Sequence, residues 1–253
     1  MSQQRAIIKQ LLPHLHLIDD AGESTCYLIQ GSTHAMVIDT VNGLEDLHAI
    51  VRTLTDLPLI VVNTHGHGDH IFGNVYFDEA WMHPADFELA ETFMGYAKEE
   101  MDKHGLKPCP LKALSIGQVF DLGGLTLEVV DLSGHTPGSI GLLDRQDRIL
   151  FTGDGVNTHL WMQLDGCSSI AELRQMLLHL KETHGNAFDF ILHGHDKGLR
   201  TAVVVDQLIQ GCDDLLAGRR EKDTPYQYFG GVCLQHPISD EPGQVIVYTE
   251  ERL

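Results

Sequence analysis

Histidine and aspartate residues are concentrated in one short run of this sequence, residues 64–70, which reads Thr-His-Gly-His-Gly-Asp-His. Three more residues of the same two types, at positions 135, 154 and 195, each follow an apolar segment. Imidazole nitrogens and carboxylate oxygens are ligands that zinc, iron and manganese accept in proteins. The candidate metal ligands are therefore His65, His67, Asp69, His70, His135, Asp154 and His195.

Seven ligands are too many for one four-coordinate metal ion. They suit two divalent ions that share one carboxylate, an arrangement of metals about 3.5–4 Å apart that hydrolases use. A water molecule that bridges two such ions ionises near neutral pH, and the resulting hydroxide is the expected nucleophile. We therefore predict two divalent metal ions as cofactors, with zinc favoured over iron or manganese, and Asp69 and Asp154 as catalytic residues.

The candidate ligands follow the ends of predicted strands. The segment Leu59–Asn63 is continuously apolar, as strands buried on both faces are, and it leads directly into residues 64–70. Loops at strand ends converge on one rim of a sheet, which is where binding sites form. The three later candidates stand in the same relation to the predicted strands Leu125–Leu132, Arg148–Thr152 and Phe188–Leu192.

The rest of the chain alternates strands with helices in both of its halves. Apolar residues recur at helical spacing in four segments, which are the predicted helices Leu44–Leu54, Ala85–His104, Ile170–Glu182 and Ala202–Leu216. Two layered halves that share one core are the simplest architecture for this order, so we predict a single domain over residues 1–253. The remaining predicted strands are His14–Asp19, Thr25–Gln30, Ala35–Asp39, Ser139–Asp144 and Gln244–Thr249.

Composition excludes several classes of protein and partner. With 43% hydrophobic and 21% charged residues, the 253-residue chain has the composition of a folded globular protein. Its net charge of −19 repels phosphate backbones, so we expect a small-molecule substrate and no nucleic acid. The sequence has no apolar run long enough to cross a membrane and no signal peptide, so a cytoplasmic location is expected. Whether the protein forms a homo-oligomer is left open by the sequence.

Four motifs resemble those of the metallo-β-lactamase superfamily. They are the run at residues 65–70, Gly-His-Thr-Pro-Gly-Ser at 134–139, Thr-Gly-Asp at 152–154 and Gly-His-Asp at 194–196, in that order. The resemblance implies an α/β fold of four layers, an αββα sandwich of two mixed sheets flanked by helices, with the metals at one sheet edge. Within that superfamily, the sequence resembles glyoxalase II and lactonase-like members in particular.

The same resemblance implies how the ligands are divided. His65, His67 and His135 resemble the ligands of the first metal, Asp69, His70 and His195 those of the second, and Asp154 resembles the bridge. Asp39 resembles a residue that orients a ligand histidine, since such imidazoles usually donate their other N–H to an acceptor. His195 is favoured over His193 as the last ligand because the family places that ligand directly after a glycine.

The substrate pocket is less well marked in the sequence. An apolar wall is predicted from His159, Trp161 and Met162 near Asp154 and from Tyr226, Tyr228 and Phe229 near the C-terminus, and His193 could line the mouth. The predicted function is cleavage of a small carboxylic ester, thioester or lactone. The alternatives are a small-molecule phosphodiesterase, a mono-iron oxidoreductase that resembles persulfide dioxygenases, and a non-catalytic binding protein.

Overall fold

The computed structural model describes residues 6–253, which form strands and helices in alternation. The strands are β1 (Ile7–Leu12), β2 (Leu15–Asp19), β3 (Thr25–Gln30), β4 (Ala35–Ile38), β5 (Leu59–Val62), β6 (Ala80–Met82), β7 (Leu111–Ala113), β8 (Val119–Asp121), β9 (Thr126–Asp131), β10 (Ile140–Asp144), β11 (Ile149–Gly153), β12 (His159–Trp161), β13 (Phe190–His193), β14 (Arg200–Thr201), β15 (Thr224–Tyr228), β16 (Gly231–Pro237) and β17 (Val245–Tyr248). The helices are α1 (Leu47–Arg52), α2 (Gly68–Ile71), α3 (Phe87–Tyr96), α4 (Lys98–His104), α5 (Ile170–His184) and α6 (Val203–Leu216), with 3-10 turns at Phe72–Tyr76, Pro84–Asp86 and Glu250–Arg252.

Two large mixed sheets face each other. One has the spatial order β1-β2-β3-β4-β5-β6-β7, and the other has the order β14-β13-β11-β10-β9-β8. The first sheet is antiparallel from β1 to β4 and parallel from β4 to β7, while β11 and β13 are the parallel pair of the second. The predicted αββα sandwich of two mixed sheets is confirmed, and its element order agrees with the alternation seen in the sequence.

Alternation of side chains explains the layers. In β3, Tyr27 and Ile29 enter the core between the two sheets, whereas Cys26 and Leu28 pack towards α1 on the outer face. In β11, Phe151 enters the core between the sheets and Leu150 packs towards α5 and α6. Because successive residues of a strand point to opposite faces, a strand that is apolar throughout must be covered on both sides. The outer helices supply the second cover.

A third sheet was not predicted. Its order is β12-β17-β16-β15, and only β17 was expected as a strand. Its inner face adds Leu160, Ile246 and Tyr248 to the core beneath α5 and α6. Strands β12 and β17 are parallel neighbours although far apart in the sequence, so their pairing depends on tertiary contacts that short-range patterns do not record.

Two further expectations were wrong. The predicted helix Ala85–His104 is divided at Ala97 into α3 and α4, which follow a 3-10 turn; Gly95 is a weak helix former just before the break. The histidines outside the candidate site, His236 among them, are expected from the sequence at the surface or on helix faces, but His236 is buried on β16 and its Nδ1 atom lies 2.6 Å from Asp223 Oδ1. Among residues 6–253, no helix combines the length and the apolar character required to cross a membrane.

Candidate metal centre

The candidate ligands meet at one edge of the sandwich. They come from the loops that follow β5, β9, β11 and β13, so the ends of both large sheets contribute. Potential ligand atoms fall into three overlapping groups, and within each group all atoms lie within 4.8 Å of one another. The groups are His65, His67 and His135; His65, His70 and Asp154; and Asp69, His70 and His195. Together they contain all seven residues that the sequence put forward.

The first three histidines form a buried half of the cluster. His135 Nε2 lies 2.9 Å from His67 Nδ1, and the ring of His65 lies 4.9 Å and 5.1 Å from the rings of His67 and His135. All three side chains are buried. Three imidazoles in this arrangement form the donor set that zinc accepts in catalytic sites.

Asp154 lies between this half and the second one. Its Oδ2 atom is 3.8 Å from His135 Nε2, 3.6 Å from His70 Nε2 and 3.2 Å from His195 Nε2. Asp69 completes the second half, since its Oδ2 atom lies 3.4 Å from His70 Nε2 and 3.6 Å from His195 Nε2. One carboxylate oxygen of Asp154 therefore faces nitrogen donors from both halves.

Hydrogen bonds at Nδ1 fix the orientation of the imidazoles. His135 Nδ1 lies 2.7 Å from the carbonyl oxygen of Trp161, and His195 Nδ1 lies 2.6 Å from that of Glu23. A carbonyl oxygen only accepts, so each Nδ1 carries a proton, and Nε2 is the nitrogen that offers a lone pair to a metal once the ring is neutral. That lone pair points into the cluster, as a metal ligand requires.

Asp39 orients two more of the histidines. Its Oδ2 atom lies 3.1 Å from His70 Nδ1 and accepts a 2.8 Å hydrogen bond from Thr64 Oγ1, which is itself 3.1 Å from His65 Nδ1. The backbone of Asp39 has a φ of 61°, a left-handed conformation that is rare outside glycine. Such strain persists only where surrounding contacts hold it, and it is typical of functional sites.

Two observations show that the residues fit metal ions. His65 Nε2 and His70 Nε2 are buried and have no hydrogen-bond partner among the described residues, although a buried polar atom without a partner is costly. In addition, a Cβ atom at Gly194 would lie 2.3 Å from His70 Cε1 and 2.9 Å from Asp154 Oδ1. A side chain at that position would collide with two of the candidate ligands, so the close packing of His70 and Asp154 requires glycine there.

Burial and neighbouring charges separate the histidines into two kinds. Burial, together with the neighbouring His135, lowers the pKa of His67 to about 3. The charge of Asp154 raises the pKa of His195 to about 9 against the opposing effect of burial. His67 is thus already neutral at pH 7, whereas His195 must lose a proton before a metal can bind at Nε2, and metal binding will release protons.

His193 occupies a different place from His195. Its Nε2 atom lies 3.3 Å from Asp196 Oδ2, and its Nδ1 atom accepts a 3.2 Å hydrogen bond from the backbone N–H of His195. Both ring nitrogens therefore have protein partners. The side chain is buried beside the cluster and contributes to the cavity wall rather than to the ligand groups.

A cavity of about 690 Å³ opens above the cluster. Its lining contains two groups of aromatic rings in contact, which are Phe72, Phe93 and Tyr96, and Trp161, Tyr226 and Phe229. Five of the residues proposed for the pocket line this cavity: His159, Trp161, His193, Tyr226 and Phe229. Tyr228 instead packs against the ring of Trp161 at 6.1 Å between centroids, and Met162 is fully buried in the core beneath α5.

Asp86 connects two of the ligand loops and was missed in the sequence. Its Oδ2 atom accepts hydrogen bonds from Gly66 N at 2.8 Å and Thr136 Oγ1 at 2.6 Å, and its Oδ1 atom accepts one from Gly138 N at 2.7 Å. The carboxylate is fully buried. In the sequence it appeared only as an acidic residue near the start of a predicted helix, after His83 and Pro84, which gave no indication of this role.

We expect Asp86→Asn to lower the free energy of unfolding of the metal-free protein by about 3 kcal/mol. The amide nitrogen that replaces one carboxylate oxygen accepts no hydrogen bond, so one or two of the three donors lose their acceptor, and each unsatisfied buried donor costs about 1–3 kcal/mol. Denaturant unfolding measures the change. Asp102→Asn on the exposed face of α4 removes the same charge and should change stability by less than about 0.5 kcal/mol. Equal effects of the two substitutions would contradict the role of Asp86.

Comparisons with known proteins agree with this geometry. The family model described as the metallo-beta-lactamase superfamily matches residues 19–202. An acyl-coenzyme A thioesterase, MBLAC2, of Gallus gallus is 32% identical over 166 residues, which are 54% of this chain and 59% of that protein. The hydroxyacylglutathione hydrolase GloC of Haemophilus influenzae is 27% identical over 188 residues, 64% of this chain and 82% of the relative.

Solved structures share the fold. A metallo-beta-lactamase from Pontibacter korlensis superposes with a TM-score of 0.62 at 15% sequence identity, and the match covers 83% of this chain and 99% of that one. The chain belongs to the metallo-beta-lactamase superfamily. It spans about three fifths of the length of the acyl-coenzyme A thioesterase relatives that it matches.

Proposed function

We propose that this protein is a metal-dependent hydrolase of small thioesters, with two divalent ions, zinc favoured, at the cluster. The relatives support the substrate class: they include acyl-coenzyme A thioesterases, hydroxyacylglutathione hydrolases and an acyl carrier protein thioesterase. Coenzyme A and glutathione are both thiols, so acyl derivatives at their sulfur atoms are thioesters. Lactones and oxygen esters share the carbonyl chemistry and come second.

The observation that carries the proposal is the position of Asp154 Oδ2 between two sets of donors. His65, His67 and His135 would hold one ion, Asp69, His70 and His195 the other, and Asp154 would contact both. Divalent cations at these positions would supply Lewis acidity, which lowers the pKa of water and polarises a carbonyl oxygen. The Nε2 atoms of His135 and His195 are already oriented by the hydrogen bonds of their Nδ1 atoms to Trp161 and Glu23. This orientation favours a catalytic metal site over a structural one.

The two carboxylates differ in exposure and hence in what they can do. Both line the cavity, but the side chain of Asp154 is 14% exposed and that of Asp69 is 38% exposed, so Asp69 is the more accessible carboxylate. The carboxylate of Asp69 can accept a hydrogen bond from a water molecule in the cavity and hold a proton released there. Asn157 Nδ2 donates to Asp154 Oδ1 at 3.2 Å and keeps that carboxylate oriented.

The aromatic walls suit an acyl chain. Phe93 and Trp161 both line the cavity beside the candidate ligands, and apolar walls exclude bulk water from the reacting carbonyl. In the overall reaction, the oxygen of water bonds to the carbonyl carbon and the carbon–sulfur bond breaks. The products are a carboxylic acid and a thiol, whose sulfur receives the proton that water loses.

A panel of substrates tests the proposal on the metal-replete protein. One acyl group is presented as a thioester, an oxygen ester and a lactone, beside a phosphodiester and a β-lactam. We expect the thioester to be cleaved with a kcat/KM of about 10⁴ M⁻¹s⁻¹ or more, an ordinary value for an enzyme on its own substrate class. Preferential cleavage of the phosphodiester, or no cleavage of any acyl compound, would refute the proposed function.

A further inference from the structure

Charges are distributed unevenly around the cavity above the metal centre. Apart from histidines and tyrosines, the ionisable residues that line it are Asp69, Asp154 and Arg200. Arg200 is the only arginine or lysine in this lining as described for residues 6–253. In a chain with a net charge of −19, a permanent cation at the mouth of an aromatic cavity is the feature that would attract an anionic group.

The guanidinium of Arg200 is held from one side only. Its Nε atom lies 3.0 Å and 3.1 Å from the two carboxylate oxygens of Asp196. In residues 6–253, no protein group forms a hydrogen bond with either of its Nη atoms. A guanidinium has five N–H donors in a planar fork, so four remain for a ligand, and two of them can bind a carboxylate or phosphate together.

Asp196 is itself a rigid support. It is buried, it accepts a 2.8 Å hydrogen bond from the backbone N–H of Lys197, and its Oδ2 atom lies 3.3 Å from His193 Nε2. Arg200 begins β14, which pairs with β13, the strand that leads to His195. The support therefore ties the arginine to the same sheet edge that carries the last candidate ligand.

The aromatic rings make the remaining lining apolar. Tyr96 is 76% exposed and Phe229 is 87% exposed, and both line the cavity that also contains Arg200. An apolar cleft with one charged group selects an amphipathic ligand: apolar surface packs against the rings, and the charge fixes the orientation. The molecule would then enter with its acidic end towards Arg200.

From these observations we infer that Arg200 binds an acidic group, a carboxylate or a phosphate, on the thiol half of the substrate. The inference rests on the proposed thioester hydrolysis, and it defines the substrate class as acyl thioesters of an anionic thiol. Asp196 acts as a positioning residue, because it holds Nε and leaves the Nη atoms directed to the ligand. Thioesters of an uncharged thiol would lack this interaction.

Binding of unreactive thioethers tests the inference apart from turnover. S-methylglutathione carries carboxylates, S-methyl-coenzyme A carries phosphates, N-acetyl-S-methylcysteamine has no charge, and none has a free thiol for a metal. Titration calorimetry measures each on the zinc-loaded wild type, Arg200→Met and Arg200→Lys. Hydrogen bonds to a charged group contribute about 1.5–3 kcal/mol, so Arg200→Met should weaken binding of an anionic thioether about 10- to 100-fold and leave the neutral one unchanged.

Arg200→Lys keeps a cation beside Asp196 and should weaken anion binding less, because an ammonium lacks the planar fork. Arg145→Met is the matched control: it removes the same charge from an exposed arginine that pairs with Glu128 away from the cavity, and should leave all three affinities unchanged. A loss with the phosphate compound alone identifies phosphate as the ligand, and a loss with the carboxylate compound alone identifies carboxylate.

The contrary results are equally definite. Equal weakening of the neutral thioether, an anion affinity that Arg200→Met does not change, or no binding of any anionic thioether to the wild type would overturn the inference. If the thioethers bind in an Arg200-dependent manner but the corresponding thioesters are not cleaved, the anion-binding role of Arg200 is supported and the proposed hydrolase function is refuted. In the active enzyme, KM for anionic thioesters should rise in Arg200→Met while kcat changes by less than about threefold.

Discussion

Replacing Asp154 with asparagine is expected to lower kcat/KM for the thioester substrate about 1000-fold. The two residues have nearly the same shape, so the change removes one negative charge and one acceptor from the centre of the cluster. Asp154 Oδ2 is the atom that faces both His135 and His195. A loss of about 4 kcal/mol of transition-state stabilisation, which is within what a metal site contributes, corresponds to this factor.

Metal content should change together with activity. Elemental analysis of the Asp154→Asn protein should show clearly fewer than two divalent ions per chain under conditions that are expected to load the wild type with two. Burial raises the pKa of Asp154, but the charges of His195 and His70 outweigh this effect and hold the pKa well below its usual range. The carboxylate is thus ionised at every pH at which the protein is assayed.

Asp56→Asn serves as the control because Asp56 is exposed and lies outside the cluster, and it should behave as the wild type. An Asp154→Asn protein that bound two metals and kept its activity would show that this carboxylate does not connect the two halves. A protein that bound two metals but was inactive would assign Asp154 a role in the reaction alone.

Removal of metal by a chelator is expected to abolish hydrolysis and lower the Tm by about 10 °C. A ligand that binds only the folded state at 1000 times its Kd stabilises it by about 4 kcal/mol. For a chain of this size, each kcal/mol changes the Tm by about 2–4 °C. The unpartnered Nε2 atoms of His65 and His70 are the groups that regain a partner when metal returns.

Reconstitution distinguishes the metals and the competing functions. Two equivalents of zinc should restore both Tm and activity, whereas magnesium, which prefers oxygen ligands, should restore neither. Restoration by a single equivalent of iron, with no recovery in zinc, would favour the mono-iron oxidoreductase instead. An unchanged Tm after complete chelation would show that the cluster does not hold metal in the folded protein.

The candidate ligands could be read from the sequence because their signals are local. His65, His67, Asp69 and His70 lie within six residues, directly after an apolar strand, and His135 follows another strand in the same way. A loop rich in glycine and histidine forms few stabilising contacts of its own. A bound ligand is therefore the simplest explanation for such a loop at the end of a buried strand. The αββα layers were implied by the resemblance of these motifs to the metallo-β-lactamase superfamily, whereas the order of the strands within each sheet was not predicted.

The roles of Asp86 and Arg200 could not be read in this way. Asp86 contacts Gly66 and Gly138, which are 20 and 52 positions away, and nothing near it in the chain indicates those partners. Arg200 resembles any surface arginine until β14 pairs with β13 and Asp196 is buried beneath it. Tyr228 and Met162 were predicted to line the pocket and do not, because aromatic or apolar character alone does not reveal which side chains face a cavity.

Local sequence determined which residue types stand at the ends of the strands, and with them the chemistry that this protein can perform. Tertiary structure decided how those ends meet: which Nδ1 atoms are held by Trp161 and Glu23, which carboxylate lies between the two halves, and where the third sheet adds its aromatic rings. The physical reason is that strand and ligand preferences act over a few residues, whereas hydrogen bonds and packing at the cluster join segments that only the folded core brings together.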